Sequence, residues 1–130
     1  MSRGLTLDFL DTPIAVCRLP ADAEVPAWAW EATEFLTISR TRQELSITAD
    51  AEVFPADVPS QRGYQSFRVR GTIGFGLVGL LASILRPLAE ASIATLSIST
   101  HDTDFILVKR EDIAHAKTVL ERAGHHVVGD

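Results

Sequence analysis

The sequence is short of the residues that several kinds of function require. It holds a single cysteine, Cys17, so no intrachain disulfide can form and no thiol cluster can hold zinc. It has no excess of cations: 12 Lys and Arg stand against 17 Asp and Glu, whereas a dedicated nucleic-acid binder needs a basic face to neutralise phosphates. It has no long apolar run. The longest stretch free of charged residues, Gly71 to Leu85, has 15 residues and four glycines, short of the roughly 20 that a membrane-spanning helix needs. No secretory signal is visible, because Asp8 and Asp11 interrupt any apolar segment near the start. These absences lead to the expectation of a soluble, cytoplasmic chain with neither nucleic acid nor membrane as partner. What remains is enough for a globular fold: 46% of residues are apolar and only 22% charged, which excludes wholesale disorder. A length of 130 residues suits one domain, or two small modules that must share a core.

Charge and composition favour two modules. Residues 1–65 carry five Arg and ten acids, whereas residues 66–130 carry seven of each sign. Five of the six prolines and both tryptophans lie in the first half, and seven of the eight glycines lie at or after Gly63. The segment from Phe54 to Gly63 is rich in turn formers and has no period, so it reads as a linker. The expected division is 1–62 and 63–130.

The second half reads clearly. Ser66–Arg70 alternates, with Phe67 and Val69 on one face and both arginines on the other, which predicts a strand. A glycine-bearing turn follows. Leu77, Leu80, Leu81, Ile84, Leu88 and Ala91 then recur at helical spacing, and Pro87 clashes with the Ser83 carbonyl and kinks the last turns. Ile93–Thr100 alternates again, with Ala94, Leu96 and Ile98 expected to face inward. Phe105–Val108 is a continuous apolar run, as in a central strand buried on both faces. Glu111–Ala123 is a helix with Ile113, Ala116, Leu120 and Ala123 as its buried stripe, acids in its first turn, Arg122 in its last and Gly124 just beyond. His125–Val128 makes a short final strand. The order is β-α-β-β-α-β, the ferredoxin-like arrangement.

The first half repeats this order less clearly. Leu5–Leu10 and Ile14–Leu19 are strand-like on either side of Asp11-Thr12-Pro13, and Pro26–Trp30 is a short helix. Phe35–Ser39 and Glu44–Thr48 form a hairpin, and Ala49–Phe54 leaves room for one helical turn. Trp28 and Trp30 are expected to pack between modules or at a subunit contact. Cys17, in a strand with no activating cation, reads as buried and structural.

The residues Gly71-Thr-Ile-Gly-Phe-Gly-Leu-Val-Gly-Leu-Leu-Ala82, Leu88-Ala-Glu-Ala-Ser-Ile93 and Ile98-Ser-Thr-His-Asp-Thr-Asp-Phe-Ile-Leu-Val108 resemble an ACT domain. They are similar to the small tandem-ACT proteins related to the arginine sensor CASTOR and to the regulatory region of aspartokinases. The resemblance implies an α+β fold of two ferredoxin-like modules with antiparallel sheets, the first degenerate. It also implies a regulatory protein rather than an enzyme, one that binds a free amino acid at an ACT–ACT interface. Such a protein would work as a homodimer or through an unidentified regulated partner, with no cofactor and no metal. The family's binding loop falls on Ile73, Gly74, Phe75, Gly76, Leu77, Val78 and Gly79. Its strand-end turn falls on Ser99, Thr100, His101 and Asp104.

The chemistry of an amino acid suits those segments. Its carboxylate must be satisfied on leaving water, and backbone donors at a glycine-rich turn and helix N-terminus form an anion site. Carbonyls and carboxylates of the 101–104 turn would take the ammonium. Where the arginine sensors have an acid near the helix start, this chain reads Gly76-Leu77-Val78, which favours a neutral or apolar ligand side chain, with Asp104 left to contact an amine. Two other readings stand beside this one. His101, Asp102 and Asp104 could serve a small enzyme as acid–base groups, or the chain could be a purely structural dimerisation module. A phosphate loop is disfavoured because the Gly-Lys-Ser/Thr ending is missing.

Overall fold

The computed structural model describes residues 4–71 and 78–129. The strands are β1 (Thr6–Leu19), β2 (Leu36–Arg40), β3 (Leu45–Asp50), β4 (Gln61–Val69), β5 (Thr95–Ser99), β6 (Asp104–Lys109) and β7 (His126–Val128). Among the described residues the α-helices are α1 (Leu80–Glu90) and α2 (Ile113–Arg122), with short 3-10 helices at Ala27–Glu31, Ala51–Val53 and Arg110–Asp112. The fold is α+β and ferredoxin-like, as the element order implies.

The chain divides into two compact units, residues 1–11 with 65–130, and residues 12–64. This differs from a single cut before Gly63, because the first eleven residues go with the C-terminal unit. The cause is β1. Its start, Thr6–Asp8, pairs in parallel with His126–Val128, while Ile14–Leu19 pairs antiparallel with Leu45–Asp50. Asp11-Thr12-Pro13 therefore does not separate two strands, and Pro13, which has no N–H for a ladder, stands where one strand changes partners. The segment after Phe54 is not a free linker either: Phe54 is buried, Val58 packs against the same core, and β4 begins at Gln61.

In the C-terminal unit the elements β4-α1-β5-β6-α2-β7 follow the expected order. The strands lie in the order β7-β1-β4-β6-β5, so the start of β1 occupies a place between β4 and β7. Alternation sends Leu7, Phe67, Val69, Ile106 and Val108 to one face. There they bury against Ile84 and Leu88 of α1 and Ile113, Ala116 and Leu120 of α2. Each large apolar side chain buried this way contributes about 1.5–3 kcal/mol. Phe9 adds a tilted ring contact with Phe67 at 5.5 Å and lies under the Lys117 ammonium at 4.1 Å. Arg68 and Arg70 fall on the opposite face, where both approach Asp8.

Strand β5 departs from expectation. Ala94 is exposed and Leu96 is 39% exposed, while Ile93 is the residue that enters the core. Register explains it. Leu96 pairs with Leu107 and Ile98 with Phe105, so they share the face opposite to core-facing Ile106 and Val108. The apolar alternation of this strand marks the face away from the helices. The stripe of α2 holds at Ile113, Ala116 and Leu120, but Ala123 is exposed.

Pro87 lies inside α1, and its missing N–H leaves the Ser83 carbonyl without its helical donor. His125 supplies the replacement. Its buried ring has Nε2 2.9 Å from the Ser83 oxygen, and its Nδ1 accepts the Leu5 N–H at 3.1 Å. Because Leu5 donates to Nδ1, the proton resides on Nε2 and is donated to Ser83. One imidazole thus ties α1 to the residue before β1, immediately after Gly124 ends α2 in a left-handed conformation (φ +98°).

The N-terminal unit orders its strands β2-β3-β1. Strand, 3-10 helix, strand, strand, 3-10 helix repeat the β-α-β-β-α order with each helix reduced to little more than a turn. Cys17, Ile47, Ala49, Ala29 and Phe54 form its core. Trp28 packs on Phe54 at 4.8 Å within this unit, and Trp30 is 63% exposed, so Trp28 is a core residue of its own unit. Asp50 is buried and accepts the N–H groups of Thr33, Glu34 and Phe35 at 2.8–3.1 Å, fixing the turn before β2.

Candidate functional site

The ends of β4 and of the β5–β6 hairpin meet through a residue that sequence reasoning passed over. Thr103 is buried, and its hydroxyl donates to the Val69 carbonyl at 2.7 Å. The Thr100 N–H donates to the Thr103 carbonyl at 2.8 Å, closing the hairpin over His101 and Asp102. The Ser99 hydroxyl donates to the Asp104 carboxylate across the first register pair. The turn is therefore held by its own threonines and fixed against the last residue of β4, two positions before Gly71. Thr103 lies just before an apolar run in the sequence, and only the pattern Thr-x-x-Thr around the turn gives a local signal for it.

Gly71 and Gly79 bracket the glycine-rich segment, and both have positive φ, +90° and +81°, a conformation open mainly to glycine. Gly79 is the N-cap of α1. The Ser83 N–H is bonded to the Gly79 carbonyl at 3.0 Å, so the N–H groups of Leu80, Leu81 and Ala82 project from the helix end without helical acceptors. Val78 is 98% exposed. Ile73, Gly74, Phe75, Gly76 and Leu77, the rest of the expected binding loop, lie outside the described residues.

Of the expected site residues, Ser99, Thr100, His101 and Asp104 come together at one hairpin end, tied to the strand that leads to Gly79. His101 and Asp102 are strongly exposed, with Nδ1 of His101 2.9 Å from an Asp102 oxygen. A mutually paired, solvated histidine and aspartate lack the dry setting in which acid–base groups act. Among the described residues, no three His, Cys, Asp or Glu side chains gather as a metal site, and no helix is long and apolar enough to cross a membrane.

The β4 end carries its own charge pair. Arg70 makes a two-atom contact with Asp8, at 2.5 and 3.2 Å, and Arg68 approaches to 3.9 Å. The Arg70 hydrogen bond holds the Asp8 carboxyl below the usual carboxylate range, and Asp8 in turn pushes Arg70 up. This exposed pair positions the β4 end more than it stabilises the fold. In the other unit, burial pushes the Cys17 thiol up, the reverse of what a nucleophile needs.

Comparison with known proteins fits this geometry. The ACT domain family model matches residues 60–122, and a second model, of an N-terminal domain, matches residues 13–57. Among curated proteins, the cytosolic arginine sensor for mTORC1 subunit 1 of Pongo abelii is 33% identical over 113 residues. That match takes in 81% of this chain and 34% of the relative, so the chain spans about a third of the length of the curated relatives it matches. Among solved structures, protein Atu0741 from Agobacterium tumefaciens superposes with a TM-score of 0.91 at 31% identity, covering 98% of this chain and 94% of that one. The regulatory subunit of aspartate kinase from Thermus thermophilus has the same fold, with a TM-score of 0.55 at 11% identity over 95% and 97% of the two chains. Residues 60–122 belong to the ACT domain family.

Proposed function

We propose that this protein is a non-enzymatic regulatory module that binds a free amino acid, with the ligand shared between ACT modules and the signal passed to a second copy or to a regulated partner. The binding residues in this reading are Ile73 to Gly79 and Ser99, Thr100, His101 and Asp104. The observation that carries it is the Thr103–Val69 hydrogen bond, which holds the hairpin end against the strand leading into the glycine-rich segment. A carboxylate would lie at the open N–H groups of α1, favoured by the helix dipole. An ammonium would lie at the Asp104 carboxylate, one oxygen of which already accepts from Ser99. The arginine sensor and the aspartate kinase subunit among its relatives support the regulatory reading. The absence of an acid in Gly76-Leu77-Val78 favours a ligand with a neutral or apolar side chain. Binding would order the interface and alter the packing of modules, which is how a ligand with unequal affinity for two arrangements shifts their balance.

Calorimetric titration with the common amino acids tests this. Heat of binding is expected for at least one neutral amino acid, and Asp104→Asn should weaken that affinity at least tenfold while leaving the melting temperature in place. Silence from every amino acid at millimolar concentration refutes the reading.

A further inference from the structure

Trp30 is the largest apolar side chain exposed among the described residues. It is 63% exposed, whereas its neighbour Trp28 packs on Phe54 at 4.8 Å and Ala29 is fully buried. Isolated exposed apolar residues are ordinary on protein surfaces, but this one is held rigidly. The 3-10 turn Ala27–Glu31 is closed by the Ala29 N–H on the Pro26 carbonyl at 3.1 Å and by the Ala32 N–H on the Ala29 carbonyl at 3.4 Å. The chain after it is clamped by Asp50, which takes the N–H groups of Thr33, Glu34 and Phe35. Side chains three apart eclipse in such a turn, so Trp30 shares its side with exposed Ala27, which is too small to cover an indole.

The chain on either side of this ring carries one sign of charge. Residues 19–39 contain Asp22, Glu24, Glu31 and Glu34, all exposed, and no Lys, Arg or His. Arg40 reaches back to the segment, yet its guanidinium bonds the carbonyls of Ala21 and Ala23 rather than a carboxylate. The N-terminal unit as a whole, residues 12–64, has four arginines and eight acids. A second copy meeting this surface with the same surface, an anionic membrane or a nucleic acid would each bring like charge to it, which a complementary interface avoids.

We propose that Trp30 and the carboxylates of Asp22, Glu24, Glu31 and Glu34 form a docking surface for a Lys- and Arg-rich segment of a partner protein. A guanidinium or ammonium lies over the indole face, the best of the aromatic rings for such a contact, and the aliphatic stem of that side chain covers the ring. The carboxylates of Glu31 and Glu34, one and four positions on, take flanking cations through charge-assisted hydrogen bonds. Asp22 and Glu24 add to the field that draws a basic segment in. Because the turn is fixed beforehand, little ordering opposes binding. A tryptophan so placed is the kind of side chain that carries most of an interface's affinity. No residue of the proposed amino-acid site takes part, so the inference does not rest on that reading.

Fluorescence anisotropy of a rhodamine-labelled octa-arginine peptide, titrated with the full chain at low ionic strength and without amino acids, tests this. Saturable binding is expected, and it should weaken as salt is added. Trp30→Ala removes no charge and should weaken it at least fivefold with the melting temperature unchanged, and Trp30→Phe should restore part of the loss. The double variant Glu31→Gln, Glu34→Gln should also weaken it at least fivefold. Glu111→Gln, at an exposed acid of the other unit, should leave it in place. Binding as tight in Trp30→Ala as in wild type overturns the proposal, because net charge alone would then hold the peptide, and so does the absence of saturable binding. Sedimentation velocity and flotation with phosphatidylserine vesicles address the other occupants. A dimer lost in Trp30→Ala, or vesicle binding lost in it, overturns the basic partner in favour of self-association or a membrane. Amino-acid heats in a chain that ignores the peptide would leave the proposed function standing without this surface.

Discussion

Removing the His125 imidazole tests the link between Pro87 and the start of the chain. In His125→Ala, the Ser83 carbonyl and the Leu5 N–H both lose their partner, at sites where the ring itself is only 5% exposed. A backbone group left unpaired in a buried setting costs about 1–3 kcal/mol, so losing the partner of two should cost roughly 2–6 kcal/mol. For a chain of this size that lowers the melting temperature by about 4 °C per kcal/mol. The second substitution separates the two contacts. Pro87→Ala restores an N–H at the position that normally serves the Ser83 carbonyl. In that background only Leu5 loses its partner when His125 is removed. The cost of His125→Ala should fall by about 1 kcal/mol, the share of one backbone group. Urea denaturation of the four proteins gives the coupling, and amide exchange at Leu5 gives a local readout that should accelerate with or without Pro87. Equal costs in the two backgrounds, within about 0.5 kcal/mol, would refute the view that the imidazole replaces the helical donor missing at Pro87.

Two further outcomes follow from residues of known environment. Asp50→Ala strands three N–H groups and should destabilise by about 2–4 kcal/mol, with Asp50→Asn costing less because one acceptor oxygen remains. Burial alone would raise the Asp50 carboxyl, but the N–H groups of Phe35, Glu34 and Thr33 outweigh it and hold it below the usual range. A folded value below the unfolded one, about 3.9, means the stabilisation is complete above that value and is lost as pH falls through the folded one. Urea midpoints of wild type should thus drop below about pH 4, and Asp50→Asn should flatten that part of the profile. In the other unit, Leu88→Ala should cost about 3 kcal/mol, as expected for a fully buried leucine. Leu96→Ala should cost less than about 1 kcal/mol, measured at low concentration by the same method. A Leu96 cost matching that of Leu88 would contradict the outward face assigned to β5.

The parts legible in the sequence are those where period and burial agree locally. Phe67 and Val69 alternate with Arg68 and Arg70 and are sorted to opposite faces as expected. Ile84, Leu88, Ile113, Ala116 and Leu120 mark helix stripes that bury as written. β5 shows where period stops being informative: alternation identifies two faces but does not say which one the helices cover, and the pairing of Leu96 with Leu107 decides it. β1 shows the same limit at longer range. Nothing in Asp11-Thr12-Pro13 reveals that the strands on either side are continuous and pair with different partners. At the candidate site, the glycines and the Ser99–Asp104 turn are proposed through their resemblance to the ACT family. Thr103 was not legible, because Thr-x-x-Thr signals the turn but not a hydroxyl bond to a carbonyl 34 positions away.

The non-local residues share one task, which is to complete the unit that carries the proposed site. The family match begins at residue 60, but the structure draws on the far end of the chain. Leu7 is fully buried in the core built by β4, β6 and the two helices. Leu5 is held by His125, Asp8 by Arg70, and the Thr6 carbonyl by the Arg70 N–H at 2.9 Å. Arg70 is the residue before Gly71. The start of β1 therefore braces, by backbone and side chain together, the position from which the glycine-rich segment departs. Thr103 braces the preceding residue, Val69, from the other side. A ligand held near Gly71, Gly79 and the 99–104 turn would pull against both braces. One leads into the start of β1, and the other leads into the β5–β6 hairpin. A change at the loop thus has two short covalent and hydrogen-bonded routes outward, which is what a module that reports on its ligand requires.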